Sequence, residues 1–128
     1  MKCREFQFGD WCCNEYGLPM QMVDLGKDYA YATYEGDEGY PWLFSDNKDG
    51  QPHPIPLIPE ILKKNGWKDA EFWCEYQDGN NTIQYCPPDM RGKINGIEIE
   101  HFKCEYVHQY QHLLRLCGLD ELADNFKI

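Results

Sequence analysis

One stretch constrains the fold more than any other. EYVHQYQHLLRLCG, residues 105–118, is the longest clean helical pattern in the chain. At 100° per residue, Tyr106, Tyr110, Leu113, Leu114 and Cys117 fall on one stripe, with Val107 at its edge. His108, His112 and Arg115 fall on the far side. Glu105 is placed in the first turn, where a carboxylate complements the helix dipole. Gly118 is a natural left-handed stop, and Leu119 would then close back on Leu114 in a Schellman ending. An amphipathic helix has to cover something. The segments before it read as short strands, so its expected partner is a sheet.

Those strands crowd the N-terminal half. Residues 8–13 form one candidate, closed by the turn Asn14-Glu15-Tyr16-Gly17, and residues 20–25 a second. Residues 29–34 alternate, with Tyr29 and Tyr31 on one face and Ala30, Ala32 and Tyr34 on the other. Residues 42–44 add a short apolar run after the glycine-rich acidic turn at 35–39. Short strands and tight turns at this density predict a small curled antiparallel sheet or SH3-like barrel. Residues 52–59 are a proline-punctuated strap. A short helix over 59–65 follows, with Pro59 at its first position, Gly66 as its stop and Trp67 folded back on Leu62. Residues 71–77 and 82–86 flank a hairpin turn at Asp78-Gly79-Asn80-Asn81. Residues 97–103 make the last strand, with Ile97, Ile99 and His101 on one face, and 119–126 a short closing helix.

The expected architecture is a single α+β domain over 1–128. It comprises an acidic, aromatic, β-rich half (5–50), a proline-rich strap with a short helix (51–67), a β-meander (70–103) and a C-terminal helical segment (105–126) whose amphipathic helix packs on the sheet.

Charge narrows the partners. The net charge is -10, and residues 5–49 hold ten acids against two bases, net -8, together with ten of the nineteen aromatics. Such a surface argues against direct binding to a nucleic-acid phosphate backbone and suits a basic protein surface. No run is long enough for a membrane span. The opening MKCREFQFGDW has no apolar signal core, so an intracellular setting is expected. Seven cysteines, an odd number without CxxC spacing, fit reduced thiols in that compartment.

Several chemistries lack their residues. Ser45 is the only serine, and there is no GxSxG elbow, Walker A loop or GxGxxG. Asp46-Asn47-Lys48-Asp49-Gly50 puts a lysine where a calcium loop needs an oxygen ligand, so it reads as a turn. His108 and His112 have the i, i+4 spacing of a metal pair, but Gln109 stands where HExxH needs glutamate, and two solvated polar residues are expected instead. No local spacing supports a zinc site from Cys12, Cys13, Cys74 or Cys86. No metal or cofactor is expected.

Three blocks carry a resemblance. They are Phe8-Gly9-Asp10-Trp11; Pro54-Ile55-Pro56-Leu57 followed by Glu60, Leu62, Gly66 and Trp67; and Tyr106-Val107-His108-Gln109 with Gln111 and Leu113. In order and spacing the chain resembles a family of small proteins of Bacteroides-type gut bacteria, their phages and mobile elements. That family begins with a G-N/D-aromatic strand, carries PIPLT-E-LxxxGF mid-chain and closes on YVHQLQNL. Here Ile58 replaces the threonine, and Tyr110 and His112 replace leucine and asparagine. The histidine pair is therefore not a family feature. The resemblance implies an intracellular single domain of phage or mobile-element origin and implies no activity.

The leading expectation is a non-catalytic interaction protein, a modulator of another protein. In its concrete form it inhibits a host defence or nucleic-acid enzyme from the bacterial cytoplasm. Its expected partner surface comprises Glu35, Asp37 and Glu38, the flanking Tyr34, Tyr40 and Trp42, and Asp46 and Asp49 in the next turn. A second candidate surface is His108, His112 and Arg115. The alternatives are a small metal- or Cys/His-dependent enzyme and a virion or assembly component.

Overall fold

Four strands follow an N-terminal 3-10 turn at Cys3–Glu5: β1 (Trp11–Cys13), β2 (Pro19–Leu25), β3 (Tyr29–Thr33) and β4 (Trp42–Ser45). They pair antiparallel in chain order, β1-β2-β3-β4, as a curled half-barrel. The computed structural model describes the chain except residues 35–38, 71–72, 88–89 and 96, and except the side chains of 97–102. It divides into two compact units, Met1–Ile55 and Pro56–Ile128, with the boundary inside the proline strap.

Alternation builds the first unit's core. Ala30, Ala32, Met20, Met22 and Phe44 point inward to meet Cys3, Phe6 and Cys12, and Tyr34 packs against them. Beta-bulged pairing between Met22 and Asp24 leaves Val23 unopposed, which bends β2. The first strand is shorter than the sequence suggests. Residues 8–9 turn instead, with the Gly9 N–H on Met22 O at 2.8 Å and the buried Asp10 carboxylate accepting the Gln7 N–H at 2.7 Å.

The second unit opens with helix α1 (Pro59–Lys64) and continues through β5 (Lys68–Asp69), β6 (Cys74–Asp78), β7 (Asn81–Cys86), β8 (Arg91–Ile94) and β9 (Ile97–Lys103). These five strands form an antiparallel meander in chain order. Helices α2 (Val107–Leu116) and α3 (Asp120–Asp124) follow. Helix α2 lies on the sheet so closely that a side chain at Gly92 in β8 would collide with Leu113. Among the described residues no helix is long and apolar enough to cross a membrane. The proposed face of Ile97, Ile99 and His101 lies outside the described side chains.

Both helix endings follow the sequence. Gly66 (φ 96°) and Gly118 (φ 79°) occupy the left-handed region. Trp67 N–H reaches Leu62 O at 3.0 Å and Gly66 N–H reaches Lys63 O at 3.1 Å. Leu119 N–H reaches Leu114 O at 2.9 Å and Gly118 N–H reaches Arg115 O at 3.0 Å. These are two Schellman motifs, and they fold Trp67 and Leu119 back onto their helices.

The face of α2 differs from the sequence expectation. His108 (2% exposed) and Gln111 (0%) are buried together with Val107, Tyr110, Leu113 and Leu114. Cys117, expected on the apolar stripe, is exposed at the helix end. The reason is α3. It packs beside α2, where the Gln111 amide donates to Ala123 O at 3.0 Å. The buried arc is thus widened beyond the apolar stripe. Glu105 also lies outside the helix. Its N–H and that of Tyr106 donate to the Gln109 Oε1 at 2.9 and 3.0 Å, so a returning glutamine, not a first-turn carboxylate, satisfies the helix start.

Candidate binding surface

Sheet register decides what the first unit shows to solvent. In β3 and β4, Ala30 opposes Phe44 and Ala32 opposes Trp42, while Tyr31 opposes Leu43 and Tyr29 opposes Ser45. Of the first set, Ala30, Ala32 and Phe44 are buried in the core and Trp42, at the start of β4, is exposed; the second set faces outward. Tyr29 and Tyr31 meet edge to face at 5.9 Å between centroids, with Leu43 across the strand pair at 55% exposure. Of ten large hydrophobic side chains exposed among the described residues, eight lie in this unit. Scattered exposed apolar residues are ordinary. Here Tyr29 and Leu43 share one outer face, and Trp42 is exposed on the opposite face of β4.

A turn adds to the Trp42 side. Asn14 is buried, and its side-chain oxygen accepts the N–H groups of Tyr16 and Leu18, each at 3.0 Å. This local hydrogen bonding holds Tyr16 (79% exposed) against Trp42, edge to face at 6.4 Å. A small hollow beside β4 is lined by Glu15, Trp42, Phe44, Asp49, Gly50 and Gln51.

The expected partner residues separate into distinct environments. Tyr40 is 78% exposed, and Trp42 and Asp49 are exposed too. Tyr34 packs against the core. Asp46 accepts the Cys3 N–H at 2.8 Å while its own N–H donates to Asp28 O, so it fastens the N-terminal turn to the end of β4. That backbone hydrogen bond, with smaller help from the Cys3 thiol, Lys2 and Arg4, holds its carboxyl below the usual range. Glu35, Asp37 and Glu38 lie outside the described residues. Glu15 and Tyr16 lie beside Trp42, and Leu43 is exposed on the other face of β4; all three escape a reading of the sequence built on the acidic cluster. The Asn14-to-Gly17 turn was the available signal for the first two.

The second candidate surface is not an open one. His108 is buried against Tyr106 (stacked, 5.9 Å) and His112 (edge to face, 5.6 Å). The Arg115 guanidinium pairs with the Asp124 carboxylate at 3.2 Å and is largely covered. His112 is half-exposed. Among the described residues no three His, Cys, Asp or Glu side chains come together as a metal site.

None of the seven cysteines is in a disulfide. Burial pushes the Cys3 thiol to about 11, with the Asp46 carboxylate adding to it, and the Cys104 thiol to about 12. Burial raises Cys13, Cys74 and Cys117 as well. A pKa raised in the folded chain means that the unfolded chain loses its protons first as pH rises. Stability is therefore expected to hold below about pH 9 and to fall as pH climbs through the 9-to-12 window set by Cys3 and Cys104. Thermal melts at stepped pH check this. A midpoint that stays flat well above pH 9 would show that these thiols are not held protonated.

No protein-family model, curated protein or solved structure matches this chain.

Proposed function

We propose that this chain is a non-catalytic interaction protein that binds a basic surface of another protein through its first unit. One observation carries the reading. Exposed aromatic and aliphatic side chains gather around β4 in the half of the sequence that holds nearly all the acidic excess. Aromatic side chains supply contact area, and surrounding carboxylates steer a cationic partner and set its orientation. The resemblance in the three sequence blocks supports a setting in a bacterial host cell, with a phage or mobile element as source. In that setting the reading takes its concrete form, an inhibitor of a host defence or nucleic-acid enzyme. The blocks themselves do structural work: Gly9 bonds to β2, Gly66 ends α1, and Gln109 caps α2. They specify the fold and leave the partner to the surface.

The test uses immobilised chain and host lysate. A protein with a basic surface should be retained by the wild type and released by salt, because screening acts within a Debye length of roughly 10 Å. Tyr40→Ala/Trp42→Ala should lose it. Reversal of Glu35, Asp37 and Glu38 to lysine should slow its association. Equal retention by all three chains would remove this face as the interface.

A further inference from the structure

The two edges of the first sheet are treated differently. At β1, Cys13 and His53 exchange both backbone hydrogen bonds at 2.9 Å, which closes that edge. At β4, direction can be read from the neighbours. Ser45 N–H turns away from β3 to Gly50 O at 2.9 Å, whereas Asp46 N–H turns toward Asp28 O at 3.0 Å. Backbone groups alternate along a strand, so the N–H and C=O of Leu43 point away from β3 as well. They meet no partner among the described residues, and the side chain is 55% exposed. The edge therefore offers one complete rung. Pro41, with no N–H, blunts it on one side, and the Ser45–Gly50 closure blunts it on the other.

Beside that rung lies a shallow hollow with Trp42, Glu15 and Asp49 in its lining, and Tyr16 meets the indole edge to face. An exposed indole and two acidic residues lining one hollow favour a guanidinium or ammonium group at its mouth. Trp42 is also one residue along the strand from Leu43. We infer that an extended, arginine- or lysine-bearing segment of the partner adds to the β4 edge at Leu43 and lays one cationic side chain across the mouth of the Trp42 hollow, beside Glu15 and Asp49. This rests on the binding reading above and names the partner's chemistry. Main-chain hydrogen bonds would supply the register, and the pocket for an alternate side chain would supply the choice of residue. A single rung binds weakly, so the hollow carries the selectivity.

The probe is a synthetic octapeptide alternating arginine and threonine, followed by fluorescence anisotropy at low salt. Wild type should bind it and should not bind the glutamate-for-arginine peptide. N-methylation of the peptide's strand-facing amides should weaken binding about tenfold, the scale of one hydrogen bond. Leu43→Pro should do the same. Its lost N–H points away from β3, so an edge proline is compatible with the sheet. Glu15→Gln/Asp49→Asn should weaken the arginine peptide and reduce its salt dependence. If wild type binds the N-methylated and parent peptides equally, strand addition is wrong while the acidic-surface reading stands. That result needs no variant to fold. Failure of wild type to bind the arginine peptide also overturns the inference, and retention of a basic protein in the lysate experiment then decides the broader reading separately.

Discussion

Trp67→Ala is expected to cost about 3–5 kcal/mol of stability in the second unit. The indole is 2% exposed. It stacks on Tyr76 at 4.6 Å and meets Phe126 and Tyr110 edge to face at 5.8 and 5.9 Å. Tyr110 in turn meets Tyr85 at 5.5 Å, and Tyr85 donates its hydroxyl to Cys104 O at 2.7 Å. One ring thus touches α2, the sheet and the C-terminal tail. The tail is also held at α1, where Asn65 Oδ1 accepts the Lys127 N–H and Asn65 Nδ2 donates to Lys127 O at 2.7 Å. Truncation would leave a cavity that three rings on different elements cannot close together. Urea unfolding followed by far-ultraviolet circular dichroism measures the loss, with amide exchange at Tyr110 and Leu113 localising it to this unit. A change below about 1 kcal/mol would mean that the aromatic cluster relaxes freely around the hole.

Leu114→Ala is the second large effect, about 2–5 kcal/mol. The side chain is fully buried, and its carbonyl takes the Leu119 N–H that closes α2. His112→Ala, on the half-exposed side, should stay within about 0.5 kcal/mol. His108→Ala discriminates between the helical wheel and the folded chain. On the wheel it belongs with His112, and in the structure it belongs with the core, so it should cost more than about 1 kcal/mol. If His108→Ala and His112→Ala behave alike in chemical denaturation, His108 is not part of the core.

The candidate surface was only partly legible. Tyr40, Trp42 and Asp49 stand exposed, as their place in an aromatic, acidic stretch suggests. Tyr34 follows the strand alternation inward, and Asp46 has a hydrogen-bonding task of its own. Composition could not separate these two from their neighbours, because the same residue types serve a core, a cap or an interface.

By itself the sequence determined what local chemistry controls. Glycines placed after apolar helical runs set both Schellman endings. Alternation set β3, with its alanines inward and Tyr29 and Tyr31 outward. Asp78-Gly79-Asn80-Asn81 set a two-residue hairpin, with Gly79 at positive φ and Asp78 paired to Asn81. These features need only a few neighbouring residues to be satisfied. Tertiary structure decided the rest. It buried His108 and Gln111 on a face that the wheel left to solvent, with α3 bonded to Gln111. It closed the β1 edge at Cys13 with a backbone forty residues away and, among the described residues, brought no partner to Leu43 on β4. Whether a polar face or a strand edge is covered depends on which distant segment reaches it, and spacing along the chain carries no record of that.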